Sequence, residues 1–178
     1  MLEWFKANPT GFSIIKDRNG HRCGNIDILP LKMATLTRFL NGEIIEREIR
    51  GDSLYSPQES EGISSLYIES FVALSECDKG NPLTAYKCIM NTPELIRRIC
   101  TPSQVKSIYA IGASESGIKL MLDLGFDHIE YSKRRKDGHK VYCVCFFALS
   151  KNIATYADGI DKQKMITILK ECSNEPFL

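Results

Sequence analysis

The first unit that the hydrophobic pattern predicts is a β-hairpin over residues 11–31. Two stretches rich in β-branched residues flank a polar turn, and the Asn19-Gly20 pair in that turn is typical of a tight hairpin. Residues 32–40 follow with apolar side chains at helical spacing, and Asn41-Gly42 ends the stretch. A short helix is therefore predicted directly after the hairpin.

A long β-strand over residues 64–75 is the next clear element. Between the short helix and this strand, residues 43–49 fit a strand or a helix equally well. Residues 51–62 contain a proline, glycines and serines and are predicted to form a surface loop. The long strand ends in a polar turn at residues 76–81.

Proline and serine signals mark helix starts in the second half of the chain. Asn81-Pro82 is typical of a helix N-terminus, and Thr92-Pro93 repeats the pattern, so two successive helical segments are predicted. A short apolar strand follows at residues 107–111. Ser114 then caps a third helix, which Gly125 ends.

Two further β segments are predicted after that helix. One surrounds Ile129, and the other, residues 141–149, is apolar on both faces, which is typical of a central strand in a covered sheet. A basic turn joins them. Residues 161–172 have apolar side chains at helical spacing and predict a C-terminal helix.

The order of these elements predicts a single domain with a mixed α/β (α+β) fold. In this fold helices flank a central sheet that is mixed and mostly antiparallel. Residues 11–149 form the predicted core, and residues 153–178 form a C-terminal helical extension.

Composition narrows the class of protein. Of the 178 residues, 43% are hydrophobic and 25% charged, and the formal net charge is +1, as in ordinary globular proteins. The balanced charge removes the electrostatic reason to expect a nucleic-acid binder or a polybasic membrane protein. The longest apolar run, residues 141–149, is far shorter than the ~20 residues of a membrane-spanning helix. Since the start also lacks a secretory signal, we expect a cytoplasmic protein that does not contact membranes.

The seven cysteines predict no metal site. Their spacing is irregular, no C-x-x-C pair occurs, and the three histidines make no motif with any of them. Free structural thiols fit a reducing cytosol.

Residues 74–83 are the first candidate for ligand chemistry, because a strand, a glycine turn and a capped helix follow one another there. The unpaired N–H groups at the start of a helix bind phosphate. However, Pro82 contributes no N–H, and Asp78 places a negative charge at the same point. A plain strand-to-helix connection therefore remains the alternative.

Residues 111–126, IGASESGIKLMLDLGF, combine a strand, a capped helix and a terminal Gly-Phe pair. They resemble the GCN5-related N-acetyltransferase family, whose comparable helix has the pattern Asn-x-x-Ala-x-x-x-Tyr-x-x-x-Gly-Phe. The spacing is kept, whereas Asn, Ala and Tyr are replaced; the matching positions here are Ser114, Gly117, Met121, Gly125 and Phe126.

The family's pyrophosphate loop, Q/R-x-x-G-x-G/A, would fall on Cys77-x-x-Gly80-x-Pro82 and keep one glycine. The resemblance in element order covers residues 11–149. The chain departs from the family at its start. The family usually has one or two helices ahead of its first hairpin, whereas only about ten residues precede the hairpin in this sequence.

The resemblance implies direct acetyl transfer from acetyl-CoA, as cosubstrate, to a small-molecule or peptide amine. The family's base, where it has one, is a carboxylate on or near the long strand. Glu69 is the best-placed carboxylate, since alternation puts it on the face of Tyr67 and Phe71. Glu76 at the strand end is its competitor, and a solvent-facing strand residue is the alternative role for Glu69.

The family's usual acid is the tyrosine that Met121 replaces. Because a thioether cannot donate a proton, the acid would be Tyr109, Tyr131 or water, or the chain is not a catalyst.

The resemblance also implies where the cofactor is held. Main-chain groups near Leu74 and Ser75 would pair with the pantetheine amides, as an added strand would. Gly80 and Asn81 would face the pyrophosphate, and Ser114 would lie near the pantetheine.

Two other functions remain open. One is a fold relative that binds a ligand or partner without catalysis. The other is a nucleic-acid-associated module, which rests only on the basic run at residues 133–136 and competes with a solvated hairpin tip. The acidic stretch Glu43, Glu46 and Glu48 could attract a cationic amine or be an exposed charged element. The oligomeric state is open, with a homodimer through an edge strand or the C-terminal helix as one arrangement.

Overall fold

The computed structural model of the protein describes residues 2–16, 19–73, 82–129, 135 and 137–159, with the backbone alone at 82–86 and 156–159. Its strands are β1 (Phe12–Lys16), β2 (Arg22–Leu29), β3 (Ser65–Ala73), β4 (Ser107–Gly112), β5 (Asp127–Ile129) and β6 (Lys140–Val144). Within these residues they form one six-stranded sheet in the order β1-β2-β3-β4-β6-β5. Neighbouring strands are antiparallel except β3 and β4, which are parallel.

Helices cover both faces of this sheet. In the described residues the α-helices are α1 (Leu2–Ala7), α2 (Met33–Leu40), α3 (Pro82–Ile99), α4 (Glu115–Asp123) and α5 (Phe146–Gly159). None of them is long and apolar enough to cross a membrane. Helix α3 lies in the crossover that the parallel pair β3–β4 requires. The predicted mixed, mostly antiparallel sheet flanked by helices is thus confirmed.

Two hydrophobic clusters lie on opposite faces of the sheet. The larger one packs β2, β3, β4 and β6 against α3, α4 and α5, and the smaller one packs the other face against α1 and α2. Successive residues of a strand point to opposite faces. Accordingly, Leu66 and Ile68 of β3 contact the larger cluster, whereas Tyr67 lies in the smaller one.

Residues 41–64, the α2–β3 connection, are fastened to the start of the chain by side-chain hydrogen bonds. Trp4 Nε1 donates to the Ile49 carbonyl at 2.9 Å, and Asn8 Nδ2 donates to the Tyr55 carbonyl at 2.8 Å. Residues 43–49, ambiguous in the sequence, form neither a strand nor an α-helix but a 3₁₀ turn at Glu46–Glu48. The predicted loop at residues 51–62 contains further 3₁₀ turns.

Helix α3 corrects one prediction, because the two expected helical segments form a single helix with Pro93 inside it. A proline in a helix removes one hydrogen bond of the main chain. The helix continues because it buries Cys88, Ile89 and Ile96 against the sheet, and such packing outweighs local propensity. The Thr92 hydroxyl donates to the Cys88 carbonyl at 3.1 Å within the turn before the proline.

The apolar run at residues 141–149 corrects a second prediction, since it is not one strand. Strand β6 ends at Val144, and α5 begins at Phe146. Phe146, Leu149 and Ile153 are all buried at helical spacing. A short run that is apolar throughout has no hydrophobic periodicity, and so its sequence does not distinguish a strand from a helix. The helix predicted at residues 161–172 lies outside the described residues.

Strand β3 contains a bulge that decides the shape of the sheet beyond it. Asp27 of β2 pairs with Ser70, and the next residue, Ile28, pairs with Ile68, so Glu69 is the extra residue. A bulge bends the strand and increases its twist. It also overturns the expected alternation: Phe71 contacts the larger cluster, so Glu69 shares a face with Tyr67 but not with Phe71.

From the bulge onward, β3 and β4 no longer pair with each other. Their parallel register runs from Ser65 with Ser107 to Ile68 with Ala110. Both strands nevertheless continue on their outer sides, where β3 pairs with β2 as far as Ala73 and β4 pairs with β6 as far as Gly112. The sheet is therefore open between the ends of β3 and β4.

We expect Gly11→Ala to lower the free energy of unfolding by about 2–3 kcal/mol. A Cβ at Gly11 would lie 2.1 Å from the Ile28 carbonyl oxygen, so β2 would have to move. The matched control is Gly20→Ala in the hairpin turn, where φ is +83° but no atom lies within 4 Å. It should cost about 1 kcal/mol through backbone conformation alone. Urea unfolding measures both, and equal losses would contradict the steric cause.

Candidate functional site

A cavity of about 290 Å³ lies where β3 and β4 separate, on the face of the larger cluster. Its walls come from both strand ends, from α3, from α4 and the turn before it, and from α5. Most of the lining is apolar, as in pockets that hold small organic molecules. The lining residues are Ile68, Glu69, Ser70, Phe71, Val72, Thr92, Ala110, Ile111, Ala113, Ser114, Gly117, Leu120, Met121, Leu124, Phe126, Leu149 and Ile153.

Helix α4 presents one face to this cavity, and that face contains most of the positions on which the family resemblance rests. Ser114, Gly117 and Met121 line the cavity, as does Phe126 just beyond the helix. The Ser114 hydroxyl is the N-cap and accepts a hydrogen bond from the Gly117 amide at 3.1 Å. Gly125, with φ of +81°, ends the helix as predicted.

Glu69 stands at the point where the strands separate. It lines the cavity, and one of its carboxylate oxygens, Oε2, is enclosed and has no hydrogen-bond partner among the described residues. Burial and, after it, the negative charges of Glu46 and Asp27 together raise the pKa of Glu69 to about 7. The sheet thus holds a carboxyl that changes protonation near neutral pH.

Glu46, from the α2–β3 connection, is a second partly buried carboxyl with a raised pKa beside Glu69. The Tyr67 hydroxyl donates to Glu46 Oε1 at 3.4 Å, which brings the Glu46 carboxyl to the face of β3 beside Glu69. Burial raises the pKa of Glu46, while hydrogen bonding with Glu69 and Tyr67 and the nearby Arg135 guanidinium oppose that rise. The sequence left open whether Glu46 is an exposed charge; it is partly buried in the site, whereas Glu43 and Glu48 are exposed.

A second carboxylate network lies on β2 next to the bulge. Asp27, only 5% exposed, accepts hydrogen bonds at Oδ2 from Asn25 Nδ2 at 2.9 Å and from the Ser70 hydroxyl at 2.8 Å. Burial raises the pKa of Asp27, and these hydrogen bonds oppose the rise. Since Asp27 pairs with Ser70, the network fixes β3 at the residue directly after Glu69.

Arg135 corrects the prediction of a solvated basic hairpin tip. It is 6% exposed, its guanidinium lies 4.4 Å from the centre of the Phe39 ring, and it donates to the Phe39 carbonyl. It also forms an ion pair with Asp137. Although burial acts against it, that pair lowers the pKa of Asp137. The other residues of the run, 133, 134 and 136, lie outside the described residues.

Only part of the predicted site can be located. Glu69 and Ser114 both line the cavity. The other predicted site residues, Leu74, Ser75, Glu76, Gly80 and Asn81, lie outside the described residues, as does Tyr131. Tyr109 packs against the smaller cluster and does not line the cavity, which places it away from the position of Met121.

The sequence does not mark Asp27 or Arg135 as residues of the site, and it leaves the place of Glu46 open. Asp27 follows the alternation of an ordinary strand, and Glu46 lies in a segment without any hydrophobic period, so no local signal marks either of them. Among the described residues no group of histidine, cysteine, aspartate and glutamate side chains has the arrangement of a metal site.

Comparisons with known proteins give only distant similarity. No family model and no curated protein sequence matches the chain. Among solved structures, the chain is similar to a "putative phosphinothricin N-acetyltransferase", with 14% identity, a TM-score of 0.42, and coverage of 80% of this chain and 76% of that one. It is also similar to TofI, solved in a ternary complex with an inhibitor and MTA. There the identity is 15%, the TM-score 0.40, and the coverage 78% of this chain and 68% of that one.

We expect Glu69→Gln to stabilise the protein more at pH 8 than at pH 5. Because the pKa of Glu69 is raised in the folded state to about 7, this carboxyl lowers stability as pH rises from about 4.5 to 7. The amide removes that loss. The gain should be roughly 1 kcal/mol larger at pH 8, well below the full conversion of the shift, since solvent screens a partly exposed group.

Urea unfolding at both pH values provides the measurement. Glu43→Gln is the matched control, because Glu43 is exposed and its contacts are surface ones, an ion pair with Arg38 and a hydrogen bond from Asn41 Nδ2. Its effect should differ by no more than a few tenths of a kcal/mol between the two pH values. A Glu69→Gln effect that is the same at pH 5 and pH 8 would contradict the raised pKa.

Proposed function

We propose that this protein is an N-acyltransferase that transfers the acetyl group of acetyl-CoA directly to an amine. One observation carries the proposal: the sheet opens between β3 and β4 onto an apolar cavity, and the carboxyl of Glu69 lies at that opening. A thioester can enter from the cavity and meet an amine beside a base. The family resemblance of residues 111–126 adds to this observation.

The open strand edges suit the arm of a CoA thioester. Residues 69–73 of β3 have no partner on β4, so their main-chain groups on that side are available to an added extended chain. The pantetheine arm contains amides that pair in this way. The cavity is at the small end of ligand sites, so it holds the arm, and the nucleotide stays outside.

Glu69 lies at the opening between the two faces of the sheet, and its neighbours Glu46 and Tyr67 lie on the face opposite the cavity, which suits the approach of the amine. Glu69 lies beside Glu46 and Tyr67, and Tyr67 is part of the smaller cluster beneath α2. Acetyl donor and acceptor would therefore reach the opening from opposite faces. The negative charge on the acceptor side favours an amine that arrives as a cation.

Glu69 would act as the general base. An ammonium group does not attack a thioester, so it must first lose a proton, and a carboxylate with a pKa of about 7 is poised for that step at neutral pH. The neutral amine then attacks the thioester carbonyl, its N–C bond forms, and the C–S bond breaks. The remaining excess proton on nitrogen passes to water, because Glu69 already holds the first one and releases it to solvent after the transfer. The CoA thiolate takes a proton from water, so the net release is one proton per amide formed.

A second candidate function is binding without catalysis, and Met121 is the observation that favours it. Met121 lines the cavity where the family has its acid, and its thioether cannot donate a proton. This alternative requires CoA binding together with thiol release no faster than background across a broad panel of amines. Steady turnover on any amine would exclude it.

We expect acetyl-CoA and CoA to bind with a Kd below 1 mM, measured by isothermal titration calorimetry. Ala113→Trp fills the exposed mouth of the cavity and should weaken binding at least tenfold. The matched control is Ser116→Trp, a nearby exposed position that does not line the cavity, with binding changed by no more than about twofold. No binding of either compound at millimolar concentration would rule out the transferase.

Once an acceptor amine is known, we expect Glu69→Gln to lower kcat/KM by about 10²–10⁴-fold at pH 7, the usual contribution of a general base. The affinity for acetyl-CoA should stay within about threefold of the original protein, since the side chain acts on the amine. The measurement is thiol release followed from pH 6 to pH 9. An unchanged pH profile would show that Glu69 is not the base.

A further inference from the structure

We propose that Glu46 is a positioning residue for Glu69: it reaches across the face of β3 from the α2–β3 connection, binds the Glu69 carboxyl and shares one proton with it. This inference rests on the proposed function, because it concerns the base of that reaction. It names a residue that neither the sequence motifs nor the family resemblance assigns.

The first step is that Glu46 is held in place rather than free. It begins the 3₁₀ turn Glu46–Glu48, and the Glu48 carboxylate accepts a hydrogen bond from the Ile45 amide at 2.8 Å, which fixes that turn. The Tyr67 hydroxyl donates to Glu46 Oε1 at 3.4 Å. Since Tyr67 is buried in the smaller cluster, its hydroxyl has a fixed position from which to hold Glu46.

The second step is the set of charges that face the pair from the surrounding elements. Asp27 on β2 adds negative charge beside Glu69. Arg135, before β6, is the cation that acts on Glu46, but Asp137 forms an ion pair with it and adds negative charge of its own. Tyr67 on β3 stays protonated, because burial and the neighbouring carboxylates raise its pKa. The described surroundings therefore leave the two carboxyls poorly compensated.

These contacts make the two glutamates one titrating unit. Two carboxyls in contact cannot both ionise easily, so the last proton of the pair is held to a higher pH than either group alone would hold it. When both glutamates are ionised, the pair accepts one proton from the ammonium form of the amine. The carboxyl–carboxyl hydrogen bond then stabilises the singly protonated pair. With one proton already bound, the pair is no longer a base.

The test is the titration of Glu69 in Glu46→Gln, followed by ¹³C NMR of the side-chain carboxyls in protein labelled at glutamate. The Glu69 resonance is assigned from Glu69→Gln. Loss of the Glu46 charge should move the midpoint of Glu69 down by about one pH unit, because a neighbouring like charge is removed. In the transfer reaction, the acid limb of kcat/KM should move down by the same amount.

Glu43→Gln is the matched control, because it removes the same formal charge from the same connection at an exposed position. It should leave both the midpoint and the acid limb within about 0.2 pH units. A residue that only fastens the connection to the sheet would change the melting temperature but not the midpoint of Glu69. If Glu46→Gln does not fold, Glu46→Asp replaces it, and the retracted carboxyl should give a smaller shift in the same direction.

A Glu69 midpoint that does not move in a folded Glu46 variant would overturn the proposal. The titration needs neither CoA nor an acceptor, so it decides the pairing even if the protein transfers nothing. Conversely, a shifted midpoint together with no binding of acetyl-CoA would retain the coupled pair and reject the proposed function.

Discussion

The end of hydrogen bonding between β3 and β4 is the constraint on which the candidate site depends. The parallel pair runs for four residues on each strand and stops at Ile68 and Ala110, where the extra residue Glu69 bends β3. Each strand keeps its outer partner, so the sheet opens without losing its support. The same residue that ends the pairing also carries the carboxyl, and so the opening and the candidate base are fixed by one local feature of the chain.

This arrangement lowers stability at the site. Partly buried carboxyls with raised pKa values lose solvation when they ionise, and they repel one another. The two hydrophobic clusters on either side of the sheet offset that loss, and Tyr67 and Arg135 oppose it locally by acting on Glu46. Uncompensated charge beside an apolar cavity is typical of sites where stability is given up for function.

Local signals in the sequence predicted the elements that surround the site. Asn19-Gly20 marks the first hairpin turn, and Ser114 and Gly125 mark the ends of α4, whose cavity face follows from helical spacing. The place of Glu69 on the long strand follows from the sequence, although the alternation that predicts its orientation fails at Phe71. A bulge depends on the register between two strands, which a single strand's pattern does not contain.

The positions of Arg135 and Glu46 could not be predicted from the sequence, because they depend on contacts between segments that are distant along the chain. Arg135 belongs to a run of four charges that suggests a solvated turn, yet its stem and guanidinium are buried on Phe39, 96 residues away. The position of Glu46 depends on Tyr67 in the same way, at a separation of 21 residues. The helix α5 was missed for a different reason, because an apolar run without a period does not distinguish a strand from a helix.

For the proposed transfer, methionine at position 121, where the family that the sequence resembles has a tyrosine, would have a smaller chemical consequence than the loss of the proposed base. A thiol has an ordinary pKa near 8.5, so the CoA thiolate can leave at neutral pH without full protonation. An alkyl amine with a pKa near 10.4 is almost entirely protonated at the same pH and cannot attack. In the proposed reaction the barrier would therefore lie on the amine side of the opening, where Glu69 and Glu46 are, and a cavity wall without an acid would be compatible with transfer.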